Sequence, residues 1–297
     1  MKKLLLPIIL AIGILLGLVA CKESNIKNSN EFFSDEIDNM SYQALSSIKL
    51  LESKTEIKNA KRAQNLSNTN DVEVTEKEVI DRYLEMMNEL LDTNGGFSSK
   101  TLVSDKVEYQ NLVEITTKNL QGELTTYSLY YNETSVKQEI DDDDDEVEIT
   151  KTIEGIAIVG GTEYKLVGKI EEESERDETE NESYFKIIED ERNYVIVKEE
   201  VEQEFNEYEH EYKYEVITNG VKTNSVSFEL EKENGKLKIK MKESSNTKTS
   251  YEFKIEEVDN VKYIKIKVLE GKTQKNIRVR VVYDITTSTY TYEYKYI

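Results

Sequence analysis

The sequence predicts an α+β fold dominated by β structure: two N-terminal helices packed against a large curved antiparallel meander sheet or incomplete β-barrel. Three observations carry this. Apolar residues recur at helical spacing only between residues 31 and 91. After Gly96 the period changes to two and stays there. Short, turn-rich links then separate one alternating run from the next, which makes neighbours in sequence antiparallel neighbours in a sheet. A sheet of about eleven or twelve such strands should curl or close.

The chain divides into residues 1–20, a leader; 21–30, a tether; 31–96, a helical segment; and 97–297, the β-meander. In the first helix Phe33, Ile37, Met40, Ala44, Leu45, Ile48 and Leu51 form a stripe. The second begins near Thr75, whose spacing to Glu78 fits a capping box, and carries Ile80, Tyr83, Leu84, Met87, Leu90 and Leu91. Asn94, Gly95 and Gly96 end it. Both stripes should pack on the apolar face of the sheet.

Strands are expected over 107–117, 123–131, 147–159 and 164–170, the last two joined at Gly160-Gly161. Val147, Ile149 and Ile153 give way to Ile156 and Ile158, a change of phase that a bulge near Gly155 would reconcile. Further strands follow at 184–188 and 194–205. Tyr208, His210, Tyr212, Tyr214 and Val216 alternate with charged residues, the clearest half-buried strand in the chain. Asn219-Gly220 and Asn234-Gly235 are type I′ turn signals between strands that continue to Tyr296.

The leader fixes an expected address. Lys2 and Lys3 precede an apolar run, Leu4 to Leu18, of about fifteen residues, short of the ~20 that cross a bilayer. Leu18-Val19-Ala20-Cys21 then resembles the lipobox of bacterial lipoproteins. That resemblance implies removal of residues 1–20, lipidation of Cys21 and an extracytoplasmic chain held to a membrane by its lipid. Residues 22–30 would form a flexible tether reaching roughly 17 Å. Cys21 is the only cysteine, so no intrachain disulfide can form. In texture the Lys/Glu-rich strands are similar to spirochaetal outer-surface lipoproteins. The curved sheet with helices resembles the half-barrel of periplasmic lipoprotein carriers and their receptors.

Charge narrows the partners. The chain carries −21, or −23 once Lys2 and Lys3 leave with the leader. Residues 1–122 carry −4, 123–220 carry −22 and 221–297 carry +5. So acidic a protein should repel phosphate backbones, which argues against nucleic-acid binding. Two acidic clusters, Asp141 to Glu146 and Glu171 to Glu182, flank the Gly160-Gly161 hairpin and should share one end of the sheet. They would attract Ca²⁺ or a cationic partner, but their spacing matches no calcium loop, and such runs are usually solvated. On the charged face Glu209 and Glu211 point outward, with Lys238 and Lys240 two strands later.

Catalysis is poorly supplied. The sole histidine, His210, sits in the tyrosine row and reads as a packed residue. With no second histidine, and Cys21 assigned to lipid, the usual nucleophilic and zinc constellations cannot be assembled. Gly271-Lys272-Thr273 lacks the rest of a phosphate loop and reads as a turn. No cofactor is expected. The reading is a membrane-anchored, non-enzymatic binding or interaction module, and the alternative is a carrier of lipid or another hydrophobic ligand.

Overall fold

The computed structural model describes residues 36–64, 72–91, 97–120, 122–141, 146–174, 178–204, 207–233, 236–245, 249–258, 261–284 and 289–297. The leader, Cys21 and the tether lie outside them. Two helices, α1 (Glu36–Gln64) and α2 (Val72–Leu91), precede fourteen strands. These are β1 (Phe97–Val103), β2 (Asn111–Lys118), β3 (Leu124–Asp141), β4 (Glu146–Val159), β5 (Thr162–Ser174), β6 (Glu178–Asp190) and β7 (Asn193–Glu204). Then come β8 (Glu207–Thr218), β9 (Val221–Glu233), β10 (Lys236–Ser245), β11 (Thr249–Val258), β12 (Val261–Glu270), β13 (Thr273–Asp284) and β14 (Thr289–Tyr296). All lie in one sheet in chain order, each antiparallel to the next. The sheet is strongly curved and does not close into a barrel.

Turn chemistry sets this order. Asn219 and Gly220 have φ of 54° and 78°, and Gly160 and Gly161 have 56° and 83°, as type I′ turns require. Glu270 pairs with Thr273 across Gly271-Lys272, the turn its sequence suggests. A link of two residues leaves a strand nowhere to go but beside its predecessor.

Curvature has its own residues. A Cβ on Gly155 would overlap the Tyr130 carbonyl, and one on Gly168 would overlap the Phe185 ring. Glycine at these two strand positions lets neighbouring chains and a ring approach the backbone, as sharp bends in coiled sheets demand.

The core lies on the concave face around α1. Val113, Ile115, Leu129, Leu166, Phe185, Ile187, Val195 and Val197 from one part of the sheet meet Tyr212, Phe228, Met241, Phe253 and Val268 from the other. Each such side chain, fully buried, contributes roughly 1.5–3 kcal/mol.

Several expectations are corrected. There are fourteen strands rather than eleven or twelve. β1 was not anticipated, and residues 107–110, expected to open a strand, lie instead in a turn in which Tyr109 N donates to Lys106 O (3.1 Å). Gly155 is not a bulge: β4 pairs with β5 in unbroken register through Gly155–Leu166. The bulge falls in β3, between Glu133 and Ser135. Ile156 instead belongs to a small convex-face cluster with Leu112 and Tyr130, and Ile158 packs against it beside Leu102 and Tyr109. The phase change in the sequence marks a strand buried on both faces. Helix α2 starts at Val72, so Thr75 lies inside its first turn and is not the N-cap.

The largest correction concerns α1. It does not lie on the sheet by one stripe. From Asp38 to Leu51 nearly every residue is buried, including Ser41, Gln43, Ser46 and Ser47 at 0 % exposure. Polar side chains of a helix enclosed in this way can find partners only inside the protein: Gln43 and Ser46 do, while the hydroxyls of Ser41 and Ser47 have no hydrogen-bond partner among the described residues.

Candidate functional site

Two places gather charged or hydrogen-bonding side chains: the interface beneath the helices and the convex face of the sheet.

Beneath α1, strands β6, β7 and β8 each put one polar residue into the apolar phase. These are Ser183, Glu199 and His210. Glu199 stands two residues from Val197 and Val201, and alternation turns it inward with them. Its Oε1 accepts from His210 Nε2 (2.7 Å). Its Oε2 accepts from Ser183 Oγ (2.9 Å) and from Gln43 Nε2 of α1 (2.5 Å). A carboxylate can only accept, so the imidazole carries a hydrogen on Nε2, and its Nδ1 lies 3.0 Å from the Tyr208 hydroxyl. Two residues along, Tyr212 donates to Asn39 Oδ1 (3.0 Å), and two further, the Tyr214 hydroxyl lies 2.9 Å from Ser46 Oγ. Burial pushes the hydroxyl pKa values of Tyr212 and Tyr214 well up. They stay neutral and can donate at any physiological pH.

Chemically this is a phenol–imidazole–carboxylate relay from half-buried Tyr208 to the α1 interface. Ser183 bonds Glu199 and Gln43 rather than the imidazole, so it is not placed as a nucleophile activated by His210. Both oxygens of Glu199 and both ring nitrogens of His210 have partners, and Gln43 ties this group to α1.

Beneath α2 the arrangement is looser. Asn224 donates to Glu243 Oε1 (3.1 Å), while Glu243 Oε2 is buried with no hydrogen-bond partner among the described residues. Burial raises the Glu243 pKa to about 7, with Arg82 and Tyr83 drawing it back down. Nearer the helix end Lys49 of α1 pairs with Glu89, whose carboxyl pKa burial also raises.

On the convex face, cross-strand register aligns charges into rows. Glu171, Glu182, Glu200, Glu211 and Glu229 are successive partners from β5 to β9. The same row continues as Lys240, Lys254, Lys265, Arg278 and Lys295 from β10 to β14. Two residues along, Glu139, Glu148, Glu173, Glu180, Glu202, Glu209 and Glu231 form a second acidic row. Like charges directly opposite cost about 0.2–1 kcal/mol per pair. Lys213 relieves part of this at Glu211 (2.7 Å), and Lys240 bridges Glu229 (2.5 Å) and Glu231 (2.8 Å). Glu180 shows the remaining strain: partial burial and then Glu182, Glu173, Glu202 and Glu200 raise its pKa.

The acidic clusters therefore do not sit mainly in loops. Glu171 to Glu173 belong to β5, and Glu178, Glu180 and Glu182 to β6. Their shared end is as expected, since Val147 pairs with Ser174. Residues 142–145 and 175–177 lie outside the described residues. Glu180, Glu200 and Glu202 each bring a carboxylate oxygen within 4.8 Å of the others, the one group of three with metal-ligand spacing among the described residues.

His210 and the outward Glu209, Glu211 and Lys240 are where the sequence puts them. Glu199, Ser183, Gln43 and Glu243 were missed as site residues. Their signal was present: Glu199 and Glu243 are acids in the apolar phase, after Val195-x-Val197 and Ile239-x-Met241. The fold defines a class, an open antiparallel meander wrapped around a buried helix. No family model, curated protein or solved structure matches the chain.

Proposed function

We propose that the chain is a membrane-anchored, extracytoplasmic, non-enzymatic interaction module that offers the acidic convex face of β5–β9 to a cationic or protein partner. The observation that carries this reading is the pair of glutamate rows, which concentrate negative potential on one solvent-facing surface. The carrier alternative needs space between sheet and helices. Tyr42, Leu45, Ile48, Tyr83 and Met86 fill that side to 2 % exposure or less, which weighs against it. The anchor rests on the Leu18-to-Cys21 lipobox.

The test uses the full-length protein, in detergent, as bait for the native envelope. A second bait has Glu171, Glu182, Glu200, Glu211 and Glu229 changed to Gln. A partner captured by the first, lost with the second and released as salt shortens the screening length supports the reading. Equal capture by both baits would remove the acidic face from it. Mass spectrometry of the natural protein should find residues 1–20 gone and a lipid on Cys21, and a bare thiol there would end the anchor.

A further inference from the structure

The convex face changes sign at β10. On β11 to β13, residues that alternate with buried Phe253, Ile264, Ile266, Ile277 and Val279 point outward. Lys254, Lys265, Lys267, Arg278 and Arg280 are among them, and exposed Lys295 of β14 stands opposite Arg278. The outward acids on the described residues of these four strands are Glu252 and Glu293. Glu252 takes Lys254 (3.1 Å) and Lys267 (3.9 Å), and Glu293 takes Arg280 (3.3 Å). Bases remain in excess. Register sets four of them in succession, Lys254 opposite Lys265, Lys265 opposite Arg278 and Arg278 opposite Lys295. Lys240 prolongs the row and is tied on its other side to Glu229 and Glu231. Like charges directly opposite repel, so a group of the other sign is drawn to lie along them. With strands about 4.8 Å apart, the five members span roughly 19 Å. The row crosses the strands, which is the direction in which the sheet curls. Helix α1 meets β1 through Asp38 and Ser99, β5 through Glu52 and Tyr164, and β8 through Asn39 and Tyr212, so the strands bend around it. The row is therefore convex along its length.

We propose that this row is a binding face for a linear anionic polysaccharide, a flexible chain of carboxylate or sulfate groups laid across β10 to β14. Charge sets the sign of the ligand, and the arginine and lysine heads would hold its anionic groups by charge-assisted hydrogen bonds. Shape sets its kind. A flat membrane touches a convex sheet along a line parallel to the strands and reaches only one or two members of the row. A rigid nucleic-acid duplex would overhang the glutamate rows that end at β9 and be repelled there. Single-stranded nucleic acid stacks its bases on open aromatic faces. Tyr263 is the outward ring on the described residues of these strands, and the Arg278 guanidinium already lies over it at 5.5 Å. An extended acidic peptide turns successive carboxylates to opposite sides, so half of them face away from the row. A polysaccharide follows the bend and asks for neither rings nor a strand register. Neither the lipid anchor nor a partner at the acidic face enters this proposal.

The test is fluorescence anisotropy of labelled dextran sulfate titrated with the full-length protein in a non-ionic detergent. Binding should appear on the order of 1–100 µM at low salt and weaken as salt rises. Unlabelled neutral dextran should not displace the probe. Lys254→Gln, Lys265→Gln, Arg278→Gln and Lys295→Gln, made together, should weaken binding by roughly tenfold or more. A control carries Lys100→Gln, Lys165→Gln, Lys198→Gln and Lys222→Gln, exposed positions on other strands. It removes the same charge and should bind as the parent does. All eight side chains are exposed, so both variants should melt near the parent's temperature. No binding at low salt would overturn the proposal. So would equal losses in the two variants, which would make net charge alone the cause. Poly-glutamate or a single-stranded oligonucleotide that displaced the probe more readily than unlabelled dextran sulfate at equal charge would overturn the assignment to a polysaccharide.

Discussion

The two polar clusters on the concave face make a controlled comparison. Both set a glutamate in the apolar phase of a strand and both lie under a helix. Beneath α1, both oxygens of Glu199 are bonded, to His210, Ser183 and Gln43. Beneath α2, Glu243 has Asn224 on one oxygen and no hydrogen bond on the other among the described residues. A complete buried network fixes how elements meet, because any other register strands its members. A half-satisfied one leaves a free-energy cost that changes with pH. The difference teaches that burial of an acid is not itself stabilising; the partners decide.

The comparison can be broken most sharply at Glu199. Glu199→Ala would leave His210, Ser183 and Gln43 buried without their common acceptor, and should cost about 3–5 kcal/mol. Urea denaturation measures it, and a loss below about 1 kcal/mol would mean the network does not hold α1.

Glu243 should behave in the opposite sense. Its carboxyl pKa is raised from 4.5 to about 7 in the folded protein. Between those values the folded chain holds a proton that the unfolded chain has released. Stability from this group is therefore full below about pH 4.5 and is lost as pH rises to about 7. Glu243→Gln should stabilise the protein at pH 8 by about 1–3 kcal/mol and bring no gain at pH 4. A variant that destabilises equally at both values would show that the carboxylate is better paired than its surroundings indicate.

The smallest effect belongs to the convex face. Glu200→Gln removes one member of an exposed acidic row and should change stability by no more than about 0.5 kcal/mol, with the sign toward stabilisation. Its difference from Glu199→Ala, one residue away in the chain, isolates which side of the sheet each residue faces.

Much of this was legible beforehand, and particular residues say why. His210 sits among alternating tyrosines, so its inward side was readable. The I′ turns at Gly160-Gly161 and Asn219-Gly220 could be read because positive φ demands these residue types. β1 escaped because Phe97–Val103 is an edge strand with little alternation, held by backbone bonds to β2. The acidic parts of β3, β5 and β6 escaped for the same reason. A strand whose two faces are both polar has no period to detect, and pairing alone keeps it extended.

By itself the sequence determined the period of each segment, the turns that put strand after strand in order, and which side of most strands faces in. Those are local properties, set by side-chain alternation and backbone sterics within a few residues. Only the tertiary structure decided that α1 is enclosed on every side between Asp38 and Leu51, that Glu199 finds Gln43 across 156 positions of chain, and that ten charges fall into one row. Each depends on how far the sheet curls and on register summed over many hairpins. Packing energy distributed over the whole core sets both, and no short stretch of residues encodes it.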